Sequence, residues 1–173
     1  MPDKIHALCI MGVSGCGKST VAAAICARTG AVLIEGDDFH PPHNIRKMRS
    51  GTPLTDADRQ GWLERLAHEA STRLATASHV ILTCSALKRR YRDVLRQAIP
   101  NLGFLFLELT IDEARARVAH RPGHFMPSSL VESQFRDLES PCNEPLVLAV
   151  RATTPVAEIA VITKAWWSKP DAG

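Results

Sequence analysis

Residues 12–20 of this chain read GVSGCGKST. They follow an apolar run of strand length, HALCIM (6–11), and open into a helical segment, STVAAAICART. The order satisfies G-x-x-x-x-G-K-[ST] in the strand–loop–helix setting that the motif needs. Glycines there let backbone N–H groups turn inward around phosphate oxygens, and the helix N-terminus adds its positive end. Gly12, Val13, Ser14, Gly15, Cys16, Gly17, Lys18, Ser19 and Thr20 are therefore the candidate ATP-binding loop. Lys18 is the candidate catalytic lysine for the β- and γ-phosphates, and the Ser19 hydroxyl is a candidate ligand for Mg²⁺. Cys16 fits as a small residue within the loop. The motif does not say what receives the phosphate.

The rest of the chain constrains the fold. Four more apolar runs of strand length follow: AVLI (31–34), HVILTC (79–84), FLFLEL (104–109) and LVLAV (146–150). They are nearly continuous rather than alternating, as expected of strands covered on both faces. Helical segments lie between them. Thr55 is placed to cap one that starts DADRQGWL, Asp112 to start DEARARVAHR, and Pro155 to start VAEIAVITKAWW. Strands alternating with helices predict parallel crossovers and a three-layer α/β sandwich on a five-stranded parallel sheet. Ligands of such sheets gather outside the carboxyl ends of the strands. That rule puts Gly12, Glu35, Ser85 and the loops after residues 109 and 150 on one rim. The length of 173 residues fits a single domain, 1–173.

The segment EGDDFHPPHNIRKMRSG (35–51) leaves the second run with three acids, two histidines and Arg46, Lys47 and Arg49. A hydroxyl acceptor needs a carboxylate to orient it and take its proton, and Mg²⁺ needs acidic partners for its waters. Read as extended chain, the segment puts Glu35 and Asp37 on one side. Both are candidate metal partners through water, and Asp37 is also the candidate catalytic carboxylate. His40 and His43 are separated by two prolines, which does not suit a helical metal pair. Arg46 and Arg49 read as solvated helix charges.

MGVSGCGKST, GDDFHPPHNIRKMRSGTPLTDADRQGWL, CSALKRRYRDVLR and RPGHFMPSSLVESQFRDLESP together resemble the gluconokinase family, P-loop carbohydrate kinases related to shikimate kinase. The match runs from about residue 8 to 141. The resemblance implies ATP-dependent phosphorylation of D-gluconate at its C6 hydroxyl, with Mg²⁺, by in-line transfer. By position it implies that Asp37 holds the acceptor hydroxyl and that Glu35 stands at the magnesium-facing place. His40, Lys47 and Arg59 fall in the acceptor-binding segment, and Ser85 with Lys88 follows the third strand where such kinases close the acceptor pocket. Residues of about 121–130 match a lid over ATP. There Arg121 is the candidate cation for the transferring phosphoryl group and His124 a substrate contact, with Gln134 supporting the lid from the next helix. Arg117, Thr154 and Pro155 match the adenine end. Lys88 joins Arg59 as a candidate partner for the substrate's carboxylate, since cations pair well with such groups.

Other features narrow the alternatives. Net charge is +3 with cations interspersed among acids, which argues against a nucleic-acid partner. No apolar run reaches the ~18 residues of a membrane span and no signal peptide precedes the first strand, so a cytoplasmic enzyme is expected. Five cysteines include no C-x-x-C pair. AWW near the C-terminus fits core packing better than a homodimer contact, and a homodimer stays open. A kinase for another acceptor keeps the chemistry, while a GTP-dependent switch would carry an N-K-x-D element that this chain lacks.

Overall fold

The structure is a computed structural model that describes residues 4–120 and 128–168. β1 (Ala7–Met11) runs into the phosphate loop and α1 (Lys18–Thr29). β2 (Val32–Glu35) leads through a 3-10 turn (Gly36–Phe39) to α2 (Pro42–Arg49) and α3 (Asp56–Leu74). Then come β3 (Val80–Thr83), α4 (Arg89–Ala98), β4 (Gly103–Glu108), α5 (Ile111–Ala119), α6 (Ser128–Asp137), β5 (Val147–Arg151) and α7 (Val156–Trp167). The strands form one parallel sheet in the order β2-β3-β1-β4-β5.

The period of two along each strand divides the core. Ala7, Cys9 and Met11 face Trp62, Leu63 and Leu66 of α3 and Leu95 of α4. Leu8 and Ile10 face Val21 and Ile25 of α1 and Ile159 and Ala160 of α7. Both strand faces are thus buried, which is why the runs read as continuous apolar sequence. The two tryptophans of AWW pack on the core as well. The Trp167 indole N–H donates to the Ile5 carbonyl at 2.6 Å, and the Trp166 ring lies against Gly103.

Local signals set the helix ends. Thr55 caps α3 in a full capping box: its hydroxyl accepts the Asp58 N–H, and the Asp58 carboxylate accepts the Thr55 N–H. α5 starts one residue earlier than the acids suggest, at Ile111, because Thr110 and Glu113 make the same reciprocal box.

β1 and β3 are neighbours, but their crossovers cover opposite faces, α1 on one and α4 on the other. Chains that part in this way leave a crevice at the carboxyl ends of the two strands. The Gly12 N–H donates to the Ser85 carbonyl at 3.3 Å and joins the two loops at its floor.

Candidate active site

The phosphate loop depends on its glycines. Gly12 sits at φ +148°, and a Cβ there would lie 2.7 Å from Cys16 Sγ and 2.9 Å from the Leu107 carbonyl. Gly17, at φ +92°, is the N-cap of α1, a left-handed position that favours glycine. Cys16 is buried beneath the loop. Lys18 Nζ donates to the loop's own carbonyls, Gly12 at 3.0 Å and Val13 at 3.2 Å. Gln134 of α6 reaches the loop directly. Its Oε1 accepts the Ser14 N–H at 2.6 Å, and its Nε2 donates to Ser14 Oγ at 2.8 Å.

Glu35 closes β2 within reach of that loop. Its Oε2 accepts from Ser19 Oγ at 3.0 Å and from Thr83 Oγ1 at 2.7 Å. A hydroxyl and a carboxylate meeting at this point make an all-oxygen donor set, the kind that suits Mg²⁺.

The extended reading of 35–37 is corrected by the structure. The strand ends at Glu35, and Gly36 turns into the 3-10 turn, so Glu35 and Asp37 do not share the side of a strand. Glycine is required here for closeness rather than for an unusual φ: a Cβ at 36 would come within 2.0 Å of the Thr83 carbonyl. The Gly36 carbonyl accepts the Trp62 indole N–H at 2.8 Å, which ties the turn to α3. The Asp37 side chain is left 95% exposed. His40 is buried, stacked on Trp62 with ring centroids 4.0 Å apart, and its Nε2 lies 3.8 Å from Asp37 Oδ1. Burial pushes the His40 pKa down to about 4; Asp37 opposes the shift and Arg59 reinforces it. His43 turns away, its Nε2 3.5 Å from Asp58.

The cations separate into two groups. Arg59 is buried on α3, where its Nη1 donates to the Tyr91 hydroxyl at 2.9 Å and to Asp137 Oδ2 at 3.3 Å. Lys47 and Lys88 are held by acids of α3 instead. Lys47 Nζ donates to Asp58 Oδ2 at 2.7 Å, and this hydrogen bond holds the Asp58 carboxyl well below the usual carboxylate range. Lys88 Nζ donates to Asp56 Oδ1 at 3.0 Å, which raises the Lys88 pKa. Asp56 also accepts the Tyr91 hydroxyl.

A cavity of about 430 Å³ joins these parts. Ser14, Lys18, Ser19 and Gln134 line it on the side of the phosphate loop, and Asp37, His40, Arg59 and Ser85 line the rest. Lys47 and Lys88, each paired with an acid of α3, are not among its lining residues. Arg49 is. It is an exposed α2 residue that the charge pattern alone marks as merely solvated. Trp62 also lines the cavity; in the sequence it looks like one more apolar position of a helix stripe. Arg121 and His124 lie outside the described residues.

At the other end of the loop, Arg117 bridges two segments. Its Nη1 donates to the Gly15 carbonyl at 3.2 Å and its Nη2 to the Ala152 carbonyl at 2.9 Å. The phosphate loop and the turn carrying Thr154 and Pro155 are thereby brought to one guanidinium. Arg151, just before that turn, is paired with Glu113.

Comparison with known proteins agrees with this geometry. A family model described as an AAA domain matches residues 8–145. The chain is 40% identical over 159 residues to the thermoresistant gluconokinase of Escherichia coli (strain K12), covering 91% of each. It is 46% identical over 144 residues to the gluconokinase of Gluconobacter oxydans (strain 621H), covering 83% of this chain and 80% of that one. Among solved structures, a gluconokinase from Sinorhizobium meliloti 1021 superposes with a TM-score of 0.86 at 44% identity, over 95% of this chain and 93% of that one. On this identity and coverage the chain belongs to the gluconokinase family: it is a P-loop kinase, a phosphotransferase with an alcohol group as acceptor.

Proposed function

We propose that this chain transfers the γ-phosphoryl group of ATP to the C6 hydroxyl of D-gluconate, giving 6-phospho-D-gluconate and ADP. The observation that carries the reading is the cavity walled by the phosphate loop on one side and by Asp37, His40, Arg49 and Arg59 on the other. Gluconate is a carboxylate on a flexible polyol. Its site needs a fork of cationic donors at one end and hydroxyl partners along the chain.

In this proposal Arg59 pairs with the carboxylate and Arg49, on the same cavity wall, adds a second cation. Lys47 and Lys88 would have to leave Asp58 and Asp56 to reach the ligand, so their part is to hold those acids in place. His40 and Ser85 contact the polyol. Asp37 orients the C6 hydroxyl and takes its proton as the oxygen attacks the γ-phosphorus; the bond from that phosphorus to the β,γ-bridging oxygen breaks in line. Lys18 turns from the loop carbonyls to the β- and γ-phosphates, Arg121 is the cation for the transferring phosphoryl group and His124 a substrate contact. Arg117, Thr154 and Pro155 hold the adenine end.

Ser19 is the residue that would hold Mg²⁺ directly, with Glu35 and Asp37 through water, and this oxygen-only set fits it. An ion held there would supply positive charge against the negative charge that develops on the phosphates. Among the described residues no helix is long and apolar enough to cross a membrane, and the cytoplasm is the proposed compartment.

The test is ADP release with Mg·ATP across D-gluconate, other aldonates, glucose, shikimate and nucleoside monophosphates. Gluconate-stimulated release is expected. Silence with gluconate and turnover with another acceptor would remove the substrate assignment and leave the kinase fold intact.

A further inference from the structure

Asn44 has no part in the mechanism above, yet it is fully buried, 0% exposed, at the start of α2 beneath the acceptor wall. A buried amide in such a place has to be accounted for by its bonds. Its Nδ2 donates to the Asp58 backbone carbonyl at 2.9 Å, and the same nitrogen lies 3.3 Å from His40 Nδ1. Its Oδ1 has no partner among the described residues.

This pattern fixes which way the amide faces. Rotating it by half a turn would set Oδ1 against the Asp58 carbonyl, acceptor against acceptor, and would leave two buried N–H donors unpaired. The orientation in the structure leaves a single acceptor unpaired. Both protons of Nδ2 then have fixed recipients: the peptide carbonyl, which can only accept, and His40 Nδ1, which must therefore also accept.

We infer that Asn44 is a positioning residue that selects the tautomer of His40, keeping Nδ1 unprotonated and the proton on Nε2, so that the imidazole meets the acceptor cavity as a hydrogen-bond donor. Trp62 holds the ring plane by stacking at an interplanar angle of 18°, and Nε2 lies on the Asp37 side. The wall next to the reacting hydroxyl thus offers an N–H donor beside a carboxylate acceptor. An alcohol of the substrate needs that pair: one group donates to its oxygen while the other accepts its proton. Asp37 and Arg59 are the charged groups that act on the ring. The inference rests on the acceptor reading proposed above, which it deepens.

The first test needs no substitution. In enzyme labelled with ¹⁵N-histidine at neutral pH, the nitrogen shifts of His40 should show a protonated Nε2 and an unprotonated Nδ1. A proton on Nδ1, or on both nitrogens, would overturn the inference. The second test reverses the amide's polarity with Asn44→Asp, which should move the proton to Nδ1 and raise the KM for gluconate roughly tenfold, with much less change in the KM for ATP. An unchanged tautomer and an unchanged gluconate KM in that variant would also overturn it. Should Asn44→Asp not fold, His40 itself gives the answer. His40→Gln, which supplies an amide N–H, should recover gluconate affinity relative to His40→Leu, and equal KM values in the two would contradict a donor role. If the wild type turns over no gluconate, the functional proposal fails, while the nitrogen shifts still decide the tautomer.

Discussion

Two buried arginines, Arg92 and Arg59, show how differently the same side chain is used in this molecule. Arg92 is 0% exposed, and its five donor bonds go to Glu144, twice, and to the carbonyls of Ala86, Leu87 and Glu139. Ala86 has φ +47°, an uncommon backbone state for a residue with a Cβ, and Arg92 holds its carbonyl and the next one, that of Leu87. Ser85, next to it, lines the cavity and meets Gly12. Arg59 is buried too, but among the described residues it donates only through Nη1, and it lines the cavity. One guanidinium is saturated by its own fold; the other has donors left over among the described residues, and in the proposed reading these meet the substrate. Burial is common to both, and the count of engaged donors is what separates them.

The largest effect should come from opening the saturated site. Arg92→Ala leaves Glu144 buried without its main partner and should cost about 3–5 kcal/mol of folding stability, read by urea unfolding. A loss under about 1 kcal/mol would erase the contrast with Arg59. Next, Arg59→Ala should raise the KM for gluconate about tenfold or more, because a charged hydrogen bond to the ligand is lost, and should change the KM for ATP little. An unchanged gluconate KM would take Arg59 out of the site.

Acid should separate the two regions. His40 has its pKa lowered from the ordinary 6.5 to about 4, so between those values the unfolded chain binds more protons than the folded one. Its contribution to stability is complete above about 6.5 and is lost as pH falls towards 4. Burial pushes Glu144 up, but hydrogen bonds from Arg92 and Arg96 more than offset this, and its pKa ends below the ordinary 4.5. Its contribution is therefore present above 4.5 and fades only below that, as pH falls through the lowered value. The acceptor region should weaken first. Urea midpoints against pH should decline between 6.5 and 4 in the wild type and decline less in His40→Gln; parallel curves would contradict the assignment. The smallest effect is expected from Lys88→Ala. Lys88 is paired with Asp56 and does not line the cavity, so gluconate KM should barely move, and loss of this partly exposed pair should cost only about 0.5 kcal/mol of stability. A tenfold rise would return Lys88 to the substrate.

The sequence exposes some of this and hides the rest for physical reasons. Strand positions were legible because both sheet faces are covered, and the phosphate loop because its glycines and lysine follow a strand at fixed spacing. The 3-10 turn at Gly36 was not, because the close approach to Thr83 that demands glycine is a contact across 47 residues. Arg92 reads as one more cation of a basic helix, since what saturates it comes from residues 86, 87, 139 and 144. Arg49 reads as a solvated charge because charge pattern alone does not say which way a side chain on the short helix α2 faces, and nothing marks Asn44, whose Asp58 partner lies 14 residues away.

The most direct measurement is ¹³C and ³¹P NMR of the product formed from D-gluconate, Mg·ATP and the enzyme. A single phosphate ester with phosphorus coupling at C6 is the predicted result. A phosphate on another carbon, or no ester from gluconate under conditions where a different acceptor is phosphorylated, would contradict the account.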